Sequence, residues 1–266
     1  MIEVQQVVTT PVPPASTELA RKAFAELLGS MLLAATVVGS GIAAQRLSPN
    51  DVGLQLLENA LITGAVLVTL ILALEPVSAA FNPVVTLAER ALGAISTRAA
   101  MALIAGQIAG CCLGVVLANL MFDLSPVTVA THSRASGGLW LGEVVATFGL
   151  VLVIFGVVRS GRGSQVGYAV GGHITAAYWF TSSTSFANPA ITIARSLSDT
   201  FAGIAPGSVA PFVLMQLLGG GLAVGAVVLL YPDARQLAGQ VASAGAAAGP
   251  ARLPAPPSTP ATQEVR

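Results

Sequence analysis

Charge is scarce in this chain: Asp, Glu, Lys and Arg make up only 9% of its 266 residues, where a soluble domain carries about 25%. That scarcity excludes an ordinary soluble enzyme or binding module. The 12 basic and 12 acidic residues cancel, and no basic cluster points to a nucleic-acid partner. Histidine is limited to His132 and His173, and cysteine to Cys111 and Cys112. Neither a nucleophile, base and orienter nor a metal-ligand spacing can be assembled from so few groups, so the reading is of a non-enzyme with no cofactor and no metal. Adjacent cysteines in an apolar helix point about 100° apart and do not pair with each other. They read as small packing residues, with a thiol site for a soft metal as the alternative.

What the chain has instead is apolar surface. Hydrophobic residues make up 54% of it and the mean hydropathy is +0.79. Six apolar runs stand out, at 22–44, 54–74, 99–121, 138–158, 164–181 and 209–231, most of them near the roughly 20 residues that a helix needs to cross a bilayer core. The fifth, GYAVGGHITAAYWF, is short, glycine-rich and carries His173. No run alternates with period two, which favours a helical bundle over a barrel. The fold class is therefore an all-α membrane protein in contact with the lipid bilayer. With six spans both ends lie on one side, and nine basic residues fall there (Arg21, Lys22, Arg90, Arg98, Arg159, Arg162, Arg235, Arg252, Arg266) against Arg46, Arg134 and Arg195 on the other. That bias puts both termini in the cytoplasm, in a plasma (inner) membrane. Residues 1–20 lack the basic start and short apolar core of a signal peptide. They and residues 233–266 read as flexible cytoplasmic tails rich in Ala, Pro, Ser and Gly.

The stretch FNPVVTLAER at 81–90 nearly repeats as FANPAITIAR at 186–195. Two further landmarks recur in the same order: AELLGS around Glu26 with GEVVAT around Glu143, and AGQIAG around Gln107 with LMQLLGG around Gln216. The offsets are 117, 106 and 109 residues for Glu, Asn-Pro and Gln. One three-helix unit therefore occurs twice, at 21–122 and 138–232, joined by an outer loop at 123–137. An odd number of spans inverts the second copy relative to the first, an arrangement of channels and transporters whose site lies where the halves meet.

Each Asn-Pro follows a break and precedes a short apolar run. Asn is a strong N-cap and Pro is favoured at the first helical position, so the motifs predict half-helices at 82–92 and 188–198 that enter the membrane and stop midway. Inversion turns the two starts toward each other. Their partial positive ends repel a cation, while the Asn amides offer donors to the oxygen of a neutral molecule.

At these residues the chain resembles the aquaporin, or major intrinsic protein, family over residues 20–232. The resemblance rests on Asn82-Pro83-Val84 and Asn188-Pro189-Ala190, on Glu26 and Glu143, and on Gln107 and Gln216. It implies an aquaporin-like fold of six transmembrane helices plus two re-entrant half-helices, a homotetramer with one pore per subunit, and passive, cofactor-free conduction of water and small neutral solutes. It also implies that Glu26 and Glu143 brace the loop backbones behind the pore.

The departures bear on the cargo. Most members carry Arg three residues after the second Asn, at the narrowest part of the pore; here that position is Ile191, and Arg195 follows one turn later, in the outer vestibule. Alignment gives Ile62 or Thr63 and Thr175 or Ala176 as the other filter positions, with Ser185 contributing from the loop and His173 displaced from the family's histidine. The pattern is similar to a bacterial subgroup associated with arsenic resistance, which implies glycerol-like polyols and undissociated arsenous acid as solutes. Three readings compete with it: a strictly water-selective pore, an ion-coupled secondary transporter, and a non-conducting structural protein of the same fold.

Overall fold

The computed structural model describes residues 15–243, and among them every regular element is helical. The long helices are α1 (Ala15–Leu47), α2 (Val52–Leu74), α4 (Thr97–Met121), α5 (Gly137–Arg159) and α8 (Pro206–Leu230), and each is long and apolar enough to cross a membrane. The short ones are α3 (Pro83–Ala91), α6 (Val166–Phe180), α7 (Pro189–Ala194) and α9 (Ala234–Ser243). The chain is an all-α, multi-pass membrane protein. The fifth apolar run is helical for only 15 residues, after a 3-10 turn at Gly163–Gln165, so α6 is the shortest of the six run-derived helices and falls below the length of a bilayer core.

The two repeats assemble alike. α1 lies on α4, and α5 lies on α8. Close approach in the first pair comes from a stripe of glycines one turn apart. A Cβ on Gly106, Gly110 or Gly114 would stand 2.6, 2.2 or 2.1 Å from the carbonyl oxygen of Ala23, Leu27 or Met31 on α1. Between helices in an apolar medium there is little hydrophobic drive, so backbone contact of this kind supplies the attraction. Gly219 on α8 does the same against Val144 of α5. α2 pairs with α6 through Gly64 and Gly171, whose backbones touch.

α3 and α7 begin where Asn-Pro predicts. Asn82 and Asn188 are extended N-caps at φ −151° and −153°, each with Pro at the first helical position. α7 ends after six residues and tightens into a 3-10 turn at Arg195–Leu197. The connecting loop folds over this end: Thr128 and Ala130 donate main-chain bonds to Leu197 and Ser196 at 3.0 Å each.

The expected flexible tails need correction at both ends. α1 already starts at Ala15, and residues 234–243 form the amphipathic α9. Ala234, Leu237 and Ala238 are buried on the side that meets α5 and α3. An ion pair of 3.2 Å between Arg159 and Asp233 ties its start to the end of α5. The alanine content that reads as low complexity is also good helix-forming composition, and a few apolar contacts are enough to dock it. The remaining tail residues, 1–14 and 244–266, lie outside the described residues.

Candidate functional site

The residues before the two asparagines set the geometry. Phe81 and Ala187 both adopt left-handed backbone angles, with φ of 48° and 47°, a conformation that costs a non-glycine residue roughly 1–2 kcal/mol. A carboxylate behind each loop holds it there. Glu26 accepts from the N–H of Ala80 at 2.8 Å and of Phe81 at 2.7 Å, and from Ser78 Oγ at 2.5 Å. Glu143 accepts from the N–H of Phe186 and of Ala187, both at 2.9 Å. Both carboxylates are fully buried, and their neighbours complete the satisfaction that such burial demands. Gln107 Nε2 bridges Glu26 and Thr86 Oγ1 at 2.8 and 2.9 Å, and Gln216 Nε2 bridges Glu143 and Thr192 Oγ1 at 2.5 and 2.8 Å. The Glu and Gln landmarks of the sequence thus meet at one place in each repeat.

The strained carbonyls point across the pseudo-twofold. Asn82 Nδ2 donates to Ala187 O at 2.8 Å, and Asn188 Nδ2 donates to Phe81 O at 2.7 Å. Each Asn Oδ1 caps its own half-helix, from Val84 N at 2.9 Å and from Ala190 N at 3.0 Å. An amide carries two N–H donors, so one is spent on the opposite loop and the other is left for the space beside it.

That space is a cavity of about 130 Å³. On the side of the termini its wall includes Lys22, Glu75, Glu89, Ile95, Val241 and Ala242. It then passes Asn82 and Asn188 and reaches Ile191 and Arg195 on the far side, with Leu150, Ile154, Val170 and Ile174 forming an apolar flank. Ser185 is on the wall, and its buried hydroxyl oxygen has no protein partner among the described residues. Val84 lies off the wall: it faces Gly220 of α8, where a Cβ would stand 2.2 Å from it. Pro83, Pro189 and Ala190 are buried in the half-helix starts.

Paired re-entrant helices around a lumen, with carboxylate-braced loops, match what the sequence resembles, and comparison with known proteins agrees. A family model described as Major intrinsic protein matches residues 14–180. Aquaglyceroporin AqpS of Rhizobium meliloti (strain 1021) is 46% identical over 221 residues, 83% of this chain and 94% of that protein. The chain belongs to the major intrinsic protein family.

The aligned filter positions of the family do not all reach the lumen. Thr63 is on the wall, but Ile62 is 44% exposed on the outside of α2. Thr175 turns to α2, where its hydroxyl lies 1.9 Å from a Cβ placed on Gly64 and donates to Gly171 O at 2.9 Å. Ala176 is exposed. One turn geometry explains the error: on a helix a register slip of one or two residues rotates a side chain by about 100° or 200°. The α6 residues that do line the cavity are Val166, Val170, Ile174 and Tyr178, and Tyr178 Oη lies 3.3 Å from Thr63 Oγ1. His173 points the other way, filling the gap above Gly149 and bonding Ala146 O at 3.1 Å.

Arg195 also departs from its expected place in an open vestibule. It is buried, and its Nε donates to Ala202 O. Its guanidinium carbon lies 3.5 Å from the ring centroid of Phe186, and both residues are on the cavity wall. The end of α7 tightens into a 3-10 turn here, so a side chain one turn beyond Ile191 folds back toward the lumen. Sequence reasoning missed Tyr178, Phe186, Thr86 and Thr192. The two threonines were visible as matched letters four residues after each Asn, and that spacing returns to the same helix face; Tyr178 and Phe186 carried no comparable signal.

Proposed function

We propose that this chain is a passive, bidirectional channel for small neutral solutes: glycerol-like polyols, undissociated arsenous acid and related metalloid species, and water, with protons and ions excluded. The observation that carries the reading is the cavity running past Asn82 and Asn188 with Ile191 on its wall. Two helix starts aimed at one place disfavour cations, and the remaining Asn donors and the Ser185 hydroxyl suit the oxygens of a hydroxylated solute. The apolar stripe of Ile174 and Ile191 suits its carbon side. A relative named as an aquaglyceroporin supports polyols over water alone. Arsenous acid enters because a neutral trihydroxy compound resembles glycerol in size and hydrogen bonding.

In this reading Thr63, Tyr178, Ser185, Ile191 and Arg195 form the filter, and Glu26 and Glu143 are loop braces rather than general acids or coupling sites. The assembly is a homotetramer in the plasma (inner) membrane with both termini cytoplasmic, which places the Val241 mouth inside and the Arg195 mouth outside.

Stopped-flow light scattering on proteoliposomes tests the function. Entry of glycerol and of arsenous acid well above empty vesicles, independent of any imposed pH or sodium gradient, is the expected result. Water flux alone would make this a water-selective pore. Gradient-driven accumulation would make it a transporter, and no flux at all would favour a structural role.

A further inference from the structure

Two buried arginines converge on one aromatic ring at the outer end of the lumen. Arg195 comes from the end of α7, and Arg134 from the loop that joins the repeats. Arg134 is 7% exposed and Arg195 is 3% exposed. Their guanidinium carbons lie 4.9 and 3.5 Å from the Phe186 centroid. One tight segment seats both of them, since Arg195 Nε donates to Ala202 O and Arg134 Nε donates to Gly203 O at 3.1 Å. The same segment leaves no room for a side chain at Gly203, where a Cβ would stand 2.6 Å from Ser198 O. Arg134 is anchored further by its own N–H, which donates to Ser208 Oγ at 2.9 Å.

Neither arginine makes a salt bridge among the described residues. Among the described residues the salt bridges are Lys22 with Glu18 and Arg159 with Asp233. Glu143 is nearby but is committed to the N–H groups of Phe186 and Ala187 and to Gln216. Asp199 is committed to Thr131 at the exposed surface. Burying two like charges with one carboxylate close by, itself engaged elsewhere and in salt bridge to neither, is unfavourable, and the electron-rich face of Phe186 offsets only part of that cost. A merely structural tie would be served as well by a neutral donor. The surplus positive charge is therefore the feature that asks for a use.

We propose that Arg134 is a charge-selecting residue of the conduction path, acting through the Phe186 seat that it shares with Arg195. The pair forms an electropositive collar at the level where Ile191 leaves the pore wall uncharged. Arg195 presents its guanidinium to the lumen, and Arg134, one layer behind the ring, raises the potential there and holds the ring in place. The collar rejects cations, while the apolar wall at Ile191 passes carbon-bearing neutral solutes. Selection by charge and selection by size thus rest on different residues. The proposal depends on the channel reading above.

The test is made on proteoliposomes of the full chain, with potassium and proton leak under an imposed membrane potential read beside glycerol and water flux. Arg134→Met removes the charge, and a cation near an uncompensated charge at an effective dielectric of about 20 should then leak roughly tenfold faster or more. Glycerol and water flux should change by less than about twofold, since the neutral solute carries no net charge to be repelled. Arg134→Lys keeps the charge and should return the leak to the wild-type level. Phe186→Leu removes the common seat and should raise the leak as Arg134→Met does, with Arg134 intact.

An unchanged leak in Arg134→Met with normal solute flux would overturn the proposal. So would equal loss of folded protein in the Met and Lys variants, which would make Arg134 a structural tie only. Absence of glycerol and water flux in the wild type would overturn the channel reading and this proposal together. Wild-type flux with no difference in leak among the variants would overturn this proposal alone.

Discussion

Asn82 and Asn188 hold each other's loops. The side-chain amide of each donates to the main-chain carbonyl just before the other, at 2.8 and 2.7 Å, while its oxygen caps its own half-helix. The two repeats are therefore coupled at the centre by polar bonds that neither could make alone. Replacing Asn188 by Ala removes a cap worth about 1 kcal/mol and leaves Phe81 O unpaired at a further cost of about 1–3 kcal/mol. Asn82→Ala should cost about as much, and the double variant less than the sum, because both act in one network. Thermal unfolding in detergent checks this, and full additivity would contradict the coupling.

Glu143→Gln is nearly isosteric yet should be strongly destabilising. The new amide would turn a donor toward N–H groups that need acceptors, at Phe186 or Ala187. Loss of charge-assisted bonds of this kind costs about 1.5–3 kcal/mol each, and the left-handed Ala187 would lose the contact that holds it. The expectation is a lower melting temperature together with loss of solute flux, and Thr192→Val should show a weaker form of both. A Gln variant with normal melting and flux would contradict the bracing role.

His132 sits in the loop between α4 and α5 with its pKa held below the ordinary histidine value, by desolvation first and then by the guanidiniums of Arg134 and Arg195. The unfolded chain then binds this proton more readily than the folded one, so stability falls as pH drops below the ordinary value of about 6.5. His132→Asn should flatten that acid-side decline without changing stability at pH 8. Melting temperatures across pH 5 to 8 supply the check; a decline of the same slope in the variant would place its origin elsewhere.

Ending the chain after Pro232 removes α9, and with it Val241 and Ala242 from the cavity wall on the side of the termini. Glycerol flux per folded protein should rise, and the newly uncovered surface of α3 and α5 should lower the melting temperature. Glycerol flux unchanged by the truncation would show that α9 covers the helices without narrowing the path.

The parts of the fold legible in the sequence are those whose chemistry fixes a position. Asn-Pro specifies a capped helix start wherever it stands, and an intramembrane Glu has to find donors, so the repeat of both gave the inverted halves and the half-helices. The lumen wall was less legible. Thr63 and Ile191 lie on it, but Ile62, Thr175 and Ala176 do not, because apolar helices in a membrane have no polar face from which to read their rotation. Arg195 misled for another reason: the turn after α7 changes from α to 3-10, and helical spacing no longer says where its head lies. Arg134, far away in sequence, reaches the same ring through a loop, which spacing could not anticipate.

The ratio of glycerol to water permeability in proteoliposomes, compared between the wild type and Ile191→Arg, tests the central claim most directly. Ile191 is 5% exposed and on the lumen wall; a guanidinium there adds bulk and water-binding donors beside Arg195. The account predicts rapid glycerol entry in the wild type and a marked fall of the ratio in the variant, with glycerol suppressed more than water. Equal suppression of both, or an unchanged ratio, would contradict the reading of Ile191 as the residue that opens this pore to solutes larger than water.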